Sequence, residues 1–155
     1  MSLTQAIILS MMPIAEARGG IPWAIASGIS PLNAFIFCTL ANLLVIPMVF
    51  LFFDFAHKHL LVFSLYKKLS EAIIERARKK ADSNIKKWGY LGLMIFVAIP
   101  LPITGAYTGA TAAWFFGLRG RKAYIYLSLG VLVAGAIVTL AVITGVDAFR
   151  VLIAK

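Results

Sequence analysis

Two opposite charges lie inside the long apolar stretch that opens this sequence. From Met1 to Phe53, Glu16 and Arg18 are the only acidic or basic side chains. An ionised group at membrane depth costs at least about 2.5–3.5 kcal/mol, so a sequence retains it for pairing or for handling a substrate. Two glycines and a proline follow directly, and such residues break helices and free backbone N–H and C=O groups. Residues 16–22 therefore predict a broken helix with a polar centre, which is typical of transporter binding sites.

The composition is that of an all-α integral membrane protein. Hydrophobic residues make up 61% of the 155 positions, charged residues only 14%, and the mean hydropathy is +0.92. Residues 32–53 and 123–146 contain no charge. Each segment is long enough to cross a hydrocarbon core of about 30 Å at about 1.5 Å per residue. We therefore predict two ordinary transmembrane helices.

Two further apolar regions, residues 1–31 and 89–118, do not fit one straight span each. The first contains the breakers Gly19 and Gly20, and the second contains Pro100 and Pro102. We expect each region to be a re-entrant helical hairpin, which enters the membrane and returns to the same side. The alternative is a protein of four full spans with kinked first and third helices.

The two halves of the chain resemble each other. At an offset of 89 residues, the 28 positions from Pro13 to Leu40 hold nine identities, where roughly two or three would arise by chance. Each unit would be a re-entrant hairpin followed by one transmembrane helix. If the second unit enters from the opposite face, the units form an inverted repeat, and both breaks meet near the midplane.

A basic segment, residues 54–88, joins the two units. It carries nine Lys or Arg against four acidic residues, and its apolar residues recur at helical spacing. We predict an amphipathic helix on the cytoplasmic surface of the cell (inner or plasma) membrane, because basic loops stay in the cytoplasm. The basic turn 119–122 joins it there in the re-entrant arrangement, and the tail 147–155 lies outside. The charge favours contact with membrane lipids, and no nucleic-acid partner is expected.

The two charges of the first break are the centre of the candidate site. Glu16 can exchange a proton, and the planar fork of Arg18 suits phosphate or carboxylate oxygens. In one interpretation, Arg18 and the amides of Gly19 and Gly20 hold an anion while Glu16 exchanges its proton. In the other, Glu16 and Arg18 form a structural ion pair that locks the hairpin.

The second break offers hydroxyl groups and small residues but no charge. Its hydroxyl groups can bind a substrate headgroup or satisfy freed backbone groups. The candidate binding residues here, with one from the first span, are Asn42, Pro100, Pro102, Thr104, Gly105, Tyr107, Thr108 and Gly109. We expect no catalytic residue, metal site or cofactor, since the sequence has no nucleophile–histidine arrangement, Walker loop or dinucleotide motif. The chain is therefore not expected to be an enzyme.

Four motifs resemble the putative small multidrug export protein family. They are Glu16–Pro22, Asn42–Pro47, Ala98–Ala110 and Leu129–Gly135, and the resemblance extends over nearly the whole chain. That family in turn is similar to the wider DedA and VTT group of membrane proteins. The resemblance to this group implies two opposed re-entrant hairpins, acidic and arginine residues within them, and transport or scrambling of lipids with phosphate headgroups. Glu16 would match the acidic position, and Arg18 would supply most of the charge for a phosphate.

The residues and the resemblance together predict a transporter or scramblase for a lipid-like amphiphile with an anionic headgroup, coupled to protons through Glu16. A homodimer is expected from the small size of the chain. One alternative is a proton-coupled exporter of small cationic drugs, in which Glu16 binds the cation. A second alternative is a membrane scaffold or assembly protein that transports nothing.

Overall fold

The described residues form six helices and no strand. The computed structural model describes the backbone of residues 3–60, 84–101 and 104–153, and side chains within residues 3–56, 88–101 and 104–145. The all-α class is confirmed. The helices are α1 (Leu3–Ser10), α2 (Glu16–Ala26), α3 (Pro31–Leu60), α4 (Asn84–Ala98), α5 (Ala106–Phe115) and α6 (Arg121–Ile153).

The two long helices, α3 and α6, are the transmembrane helices predicted from the sequence. Their apolar parts, Pro31–Ala56 and Arg121–Gly145, are long enough to cross a bilayer. Large apolar side chains cover their outer surfaces: Leu51 is 69% exposed and Leu140 is 63% exposed. Such surfaces are stable in lipid, where apolar side chains meet apolar tails.

The other four helices are short. With 8, 11 and 10 residues, α1, α2 and α5 extend about 12–17 Å at 1.5 Å per residue, roughly half of a hydrocarbon core. α1 packs against α2, and both pack against α3. α4 packs chiefly against α6, while α5 packs chiefly against α3. The two halves of the chain therefore contain the same kinds of helices, but the short helices pack against different neighbours in each half.

The prediction of a helix break at residues 18–22 is wrong. The chain leaves the helix at Met11–Ala15, and Gly19, Gly20 and Pro22 all lie inside α2. Gly20 serves close packing instead, because a Cβ there would lie 1.8 Å from Ser10 Oγ and 2.8 Å from a backbone carbonyl of α1. Gly20 thus lets α1 and α2 approach each other, which composition alone does not distinguish from a break.

Helix ends recur at the offset of 89 residues. After α2, the Ile29 N–H bonds to the Ala24 carbonyl, and after α5 the Leu118 N–H bonds to the Ala113 carbonyl. A glycine with positive φ precedes each donor, Gly28 at 86° and Gly117 at 71°. Both are Schellman caps, in which glycine adopts the left-handed conformation that ends a helix. The two helices therefore end in the same way, 89 residues apart.

The predicted amphipathic segment 54–88 lies mostly outside the described residues. α3 continues through Leu60 and α4 begins at Asn84, and residues 61–83 are not described. The predicted turn 119–122 overlaps the start of α6 at Arg121, and the tail 147–155 begins within that helix.

Among the described residues, two apolar clusters form the core. The first joins α1 and α2 to the beginning of α3 and includes Ile21 and Cys38. The second joins the end of α3 to α4, α5 and α6 and includes Ile46 and Leu127.

Candidate functional site

The first break, which the structure places at Met11–Ala15, leads into Glu16, whose backbone conformation is unusual. Pro13, which has no N–H to donate, lies within the turns at Met11–Ala15. Glu16 then begins α2 with a φ of 48°, the only positive φ among the described residues other than glycine. Such a backbone costs on the order of 1–3 kcal/mol and persists only where surrounding contacts hold it. The contacts of the Glu16 side chain supply that hold.

The carboxylate of Glu16 lies at the N-terminus of α5, which belongs to the second half of the chain. It accepts a hydrogen bond of 3.1 Å from the Tyr107 N–H, and the side chain is only 6% exposed. Gly105 makes this approach possible, because a Cβ there would lie 1.8 Å from Glu16 Oε2. The free N–H groups and the dipole of a helix N-terminus stabilise a negative charge. The first hairpin thus supplies an anion to the second.

Arg18 also binds the second break. Its Nη1 donates to the Leu101 carbonyl, and its Nη2 donates to Thr104 Oγ1 at 3.2 Å. Both acceptors are uncharged. In the described part of the chain the guanidinium makes no ion pair with Glu16, so the structural ion pair considered from the sequence is not formed. Residues two apart on a helix point in different directions, which keeps the two groups on separate partners.

Hydroxyl groups hold the backbone of the second break. Thr104 Oγ1 accepts the Leu101 N–H at 3.2 Å and donates to the Ile99 carbonyl at 2.7 Å. Thr108 Oγ1 accepts the Gly105 N–H at 2.9 Å and so caps α5. Of the two roles left open by the sequence, both hydroxyls take the backbone role in this structure.

Tyr107 ties the two breaks together in the reverse direction. Its hydroxyl donates to the Met11 carbonyl at 2.6 Å, in the first break. Tyr107 follows Arg18 by the offset of 89 residues, so equivalent positions each donate to a carbonyl of the opposite break. The two breaks are therefore joined by contacts from both sides.

The remaining candidate residues have packing roles or lie outside the described part. The Gly19 N–H donates to the Ala15 carbonyl at 2.8 Å, so it is not free for an anion, which corrects the expectation for this amide. A Cβ on Gly109 would lie 2.4 Å from the Val97 side chain. Pro100 lies in the second break and is partly buried. Pro102 lies outside the described residues.

A small cavity lies beside the two charges. Glu16, Arg18, Asn42 and Gly105 line it, with Val97 and four small or apolar residues of α6 and one of α5. Its volume is about 10 Å³, enough for roughly one water molecule. Asn42 is only 4% exposed, and its Oδ1 has no hydrogen-bond partner among the described residues.

Sequence reasoning missed a second polar cluster, where the end of α5 meets the end of α3. Trp114 Nε1 donates to Asp54 Oδ1 at 2.8 Å. Arg119 donates to the same oxygen at 3.2 Å, and its guanidinium lies 4.6 Å from the centre of the Trp114 ring. These residues are about 60 positions apart, so no local spacing signals the contact. The only hint was that Asp54 is the first charge after the apolar first span.

Over residues 16–137 the chain matches the protein family described as "putative small multi-drug export protein". The chain belongs to this family. Neither the curated proteins nor the solved structures yield a match.

Family membership agrees with the expectation of a membrane transporter. The matched region begins at Glu16 and contains both charges, Asn42 and the whole second break. Export is a transport function, which agrees with the expectation of a transporter. In the described part of the chain, no group of three or more His, Cys, Asp or Glu side chains could hold a metal ion.

Proposed function

We propose that this member of the export family moves a lipid-like amphiphile with an anionic headgroup across the membrane, as a transporter or scramblase. The observation that carries the proposal is the different state of the two charges. The Glu16 carboxylate is stabilised by the N-terminus of α5, whereas within the described part of the chain Arg18 donates to uncharged acceptors. A guanidinium with spare N–H donors beside a cavity suits a phosphate or carboxylate headgroup.

We further propose that α1–α2 and α4–α5 are re-entrant hairpins of an inverted repeat. The lengths of α1, α2 and α5 support this, since each covers about half of a bilayer. Direction supports it as well. α2 ends next to the beginning of α3, and α5 ends beside Asp54 near the other end of α3, so the two helices run toward opposite ends of the same span.

The proposed cycle requires the two hairpins to separate. A cavity of about 10 Å³ cannot admit a headgroup, so the structure corresponds to a closed state. Opening would break the bonds of Arg18 to the second break, and a headgroup would take over those donors. Such rocking of one repeat against the other is the usual route of alternating access.

The surroundings of the site fit the same proposal. We place residues 54–88 and the turn 119–122 in the cytoplasm, where their basic side chains meet anionic lipids. A homodimer is the proposed assembly, because two spans and two hairpins enclose little volume in a single chain.

The family description favours a second candidate, the proton-coupled export of small cationic drugs. In that case Glu16 would bind the cation and Arg18 would only hold the second break. The two functions differ in the sign of the substrate charge. A scaffold that transports nothing would show no flux of either kind.

Reconstituted liposomes test the proposal through the variant Arg18→Ala. We expect wild-type protein to scramble a fluorescent phospholipid, and Arg18→Ala to reduce the rate by at least tenfold, because charged hydrogen bonds contribute about 1.5–3 kcal/mol each. Arg121→Ala is the matched control, since Arg121 is exposed at the start of α6. Efflux of a lipophilic cation that depends on Glu16 and persists in Arg18→Ala would favour the drug exporter instead.

A further inference from the structure

The contacts of Glu16 suit only one of its two protonation states. The carboxylate accepts the Tyr107 N–H, and the N-terminus of α5 presents further N–H groups. A carboxylic acid instead carries an O–H that needs an acceptor. Backbone N–H groups cannot accept a hydrogen bond, so the N-terminus of α5 offers this O–H no acceptor.

A buried acceptor with no donor among the described residues belongs to the lining of the small cavity. Asn42 Oδ1 is buried, has no hydrogen-bond partner among the described residues, and belongs to a side chain that lines the same cavity as Glu16. A buried acceptor left unsatisfied costs about 1–3 kcal/mol. The two side chains therefore line one cavity of about 10 Å³.

We infer that Asn42 Oδ1 accepts the O–H of protonated Glu16, which gives the carboxyl group one position for each protonation state. The charged form binds the N-terminus of α5, and the neutral form turns toward α3. Asn42 is thus a positioning residue for proton binding. This inference deepens the proposed function, and its link to transport rests on that function.

Few titratable groups other than Glu16 itself lie near the Glu16 side chain, so few of them could account for a pH response of this site. Its own helix contributes Arg18, and α5 contributes Tyr107, whose hydroxyl is already bound to Met11. Among the described side chains that line the cavity, those of α3, α4 and α6 carry no titratable group. They are Asn42, Val97, Val131, Ala134, Gly135 and Val138.

Proton binding to Glu16 would change both the contact between the two hairpins and the charge of the site. When Glu16 leaves α5, one of the contacts between the hairpins is lost, and Arg18 loses the nearby negative charge that partly balances it. A site with Arg18 alone attracts an anion more strongly than a site with both charges. Proton binding and anion binding should therefore favour each other, by the reciprocity of linked equilibria.

Infrared difference spectroscopy of the full-length protein in liposomes, between acidic and alkaline pH, tests the inference directly. Glu16→Gln assigns the C=O stretching band of the Glu16 carboxylic acid, because it removes that band. In Asn42→Leu, which keeps the volume and removes the acceptor, we expect the band to shift to higher frequency and proton binding to weaken about tenfold. Asn42→Ser, which keeps an oxygen in a smaller side chain, should recover part of both effects.

Thr39→Val is the matched control. Thr39 is also buried, its Oγ1 is also unpartnered, and it lies one turn from Asn42 on α3, but it does not line the cavity. We expect the C=O band of Glu16 and its pH titration in Thr39→Val to equal those of the wild type. An unchanged Glu16 band in Asn42→Leu, or an equal change in Thr39→Val, would overturn the inference. Neither result depends on flux, so a failure of the proposed transport function would be seen separately in the liposome assay.

Discussion

The two helical hairpins have similar outlines but opposite chemistry. The first hairpin is closed: α1 packs on α2 through small residues, and it carries both charges of the site. The second is more open, because α4 packs on α6 and α5 on α3, and its described part offers backbone carbonyls, backbone N–H groups and hydroxyls at the break. One unit thus supplies charged side chains, and the other supplies the freed backbone that binds them. The comparison teaches that two helical hairpins can hold a polar centre between them when one supplies charged side chains and the other supplies freed backbone groups.

The largest expected effect comes from Gly105→Ala, which separates the charge of one hairpin from the helix end of the other. The new Cβ would take the place of Glu16 Oε2, so the carboxylate must leave the N-terminus of α5. We expect a loss of about 3 kcal/mol or more in the free energy of unfolding, since overpacking and a lost charged contact add up. Unfolding in detergent, followed by denaturant titration, measures it.

Gly92→Ala provides the control for that substitution. A Cβ at Gly92, in the exposed part of α4, would meet no atom within 4 Å. Alanine is the better helix former, so this variant should be unchanged or more stable by up to about 1 kcal/mol. Equal effects of the two substitutions would show that the carboxylate is not held at α5.

Tyr107→Phe removes the contact that runs in the reverse direction, from the second hairpin to the first. It deletes the bond of 2.6 Å to the Met11 carbonyl but keeps the ring. We expect a loss of about 1–2 kcal/mol in stability, because the carbonyl loses its partner. Tyr124→Phe, at a residue 40% exposed on α6, should change stability by less than about 0.5 kcal/mol. If both variants matched the wild type, the reverse contact would not contribute to holding the hairpins together.

Asp54→Asn tests the contact between α3 and the end of the second hairpin, and it should have the smallest effect. It breaks the ion pair with Arg119, in which both side chains are 48% exposed, while an amide oxygen can still accept from Trp114. Exposed ion pairs contribute about 0–1 kcal/mol, so the loss should stay within that range and shrink as salt is added. A loss as large as that of Gly105→Ala would show that the main link between the second hairpin and α3 is the contact at Asp54.

The sequence predicted the spans well and the site in part. Two uncharged segments longer than 20 residues have few alternatives to α3 and α6, so hydropathy located them. The second break was also located, because prolines and hydroxyl residues coincide at residues 99–105. The first was misplaced, because Gly19 and Gly20 lie inside α2, where Gly20 serves packing against α1, while Pro13 lies in the actual break. The partners of Glu16 and Arg18 lie more than 80 residues away, and only tertiary structure joins them.

The central claim is that the two hairpins enter the membrane from opposite sides and meet at Glu16 and α5. The position of Arg121 tests it most directly, because a re-entrant second hairpin returns the chain to the cytoplasm, whereas a full span would carry it outside. Arg121→Cys, with Cys38→Ala to remove the only native cysteine, can be labelled with a membrane-impermeant maleimide in vesicles of known orientation. Lys79→Cys, in the basic segment that we propose to be cytoplasmic, is the reference position. We expect both positions to react from the same, cytoplasmic side. Labelling of Arg121→Cys from the opposite side would contradict the account.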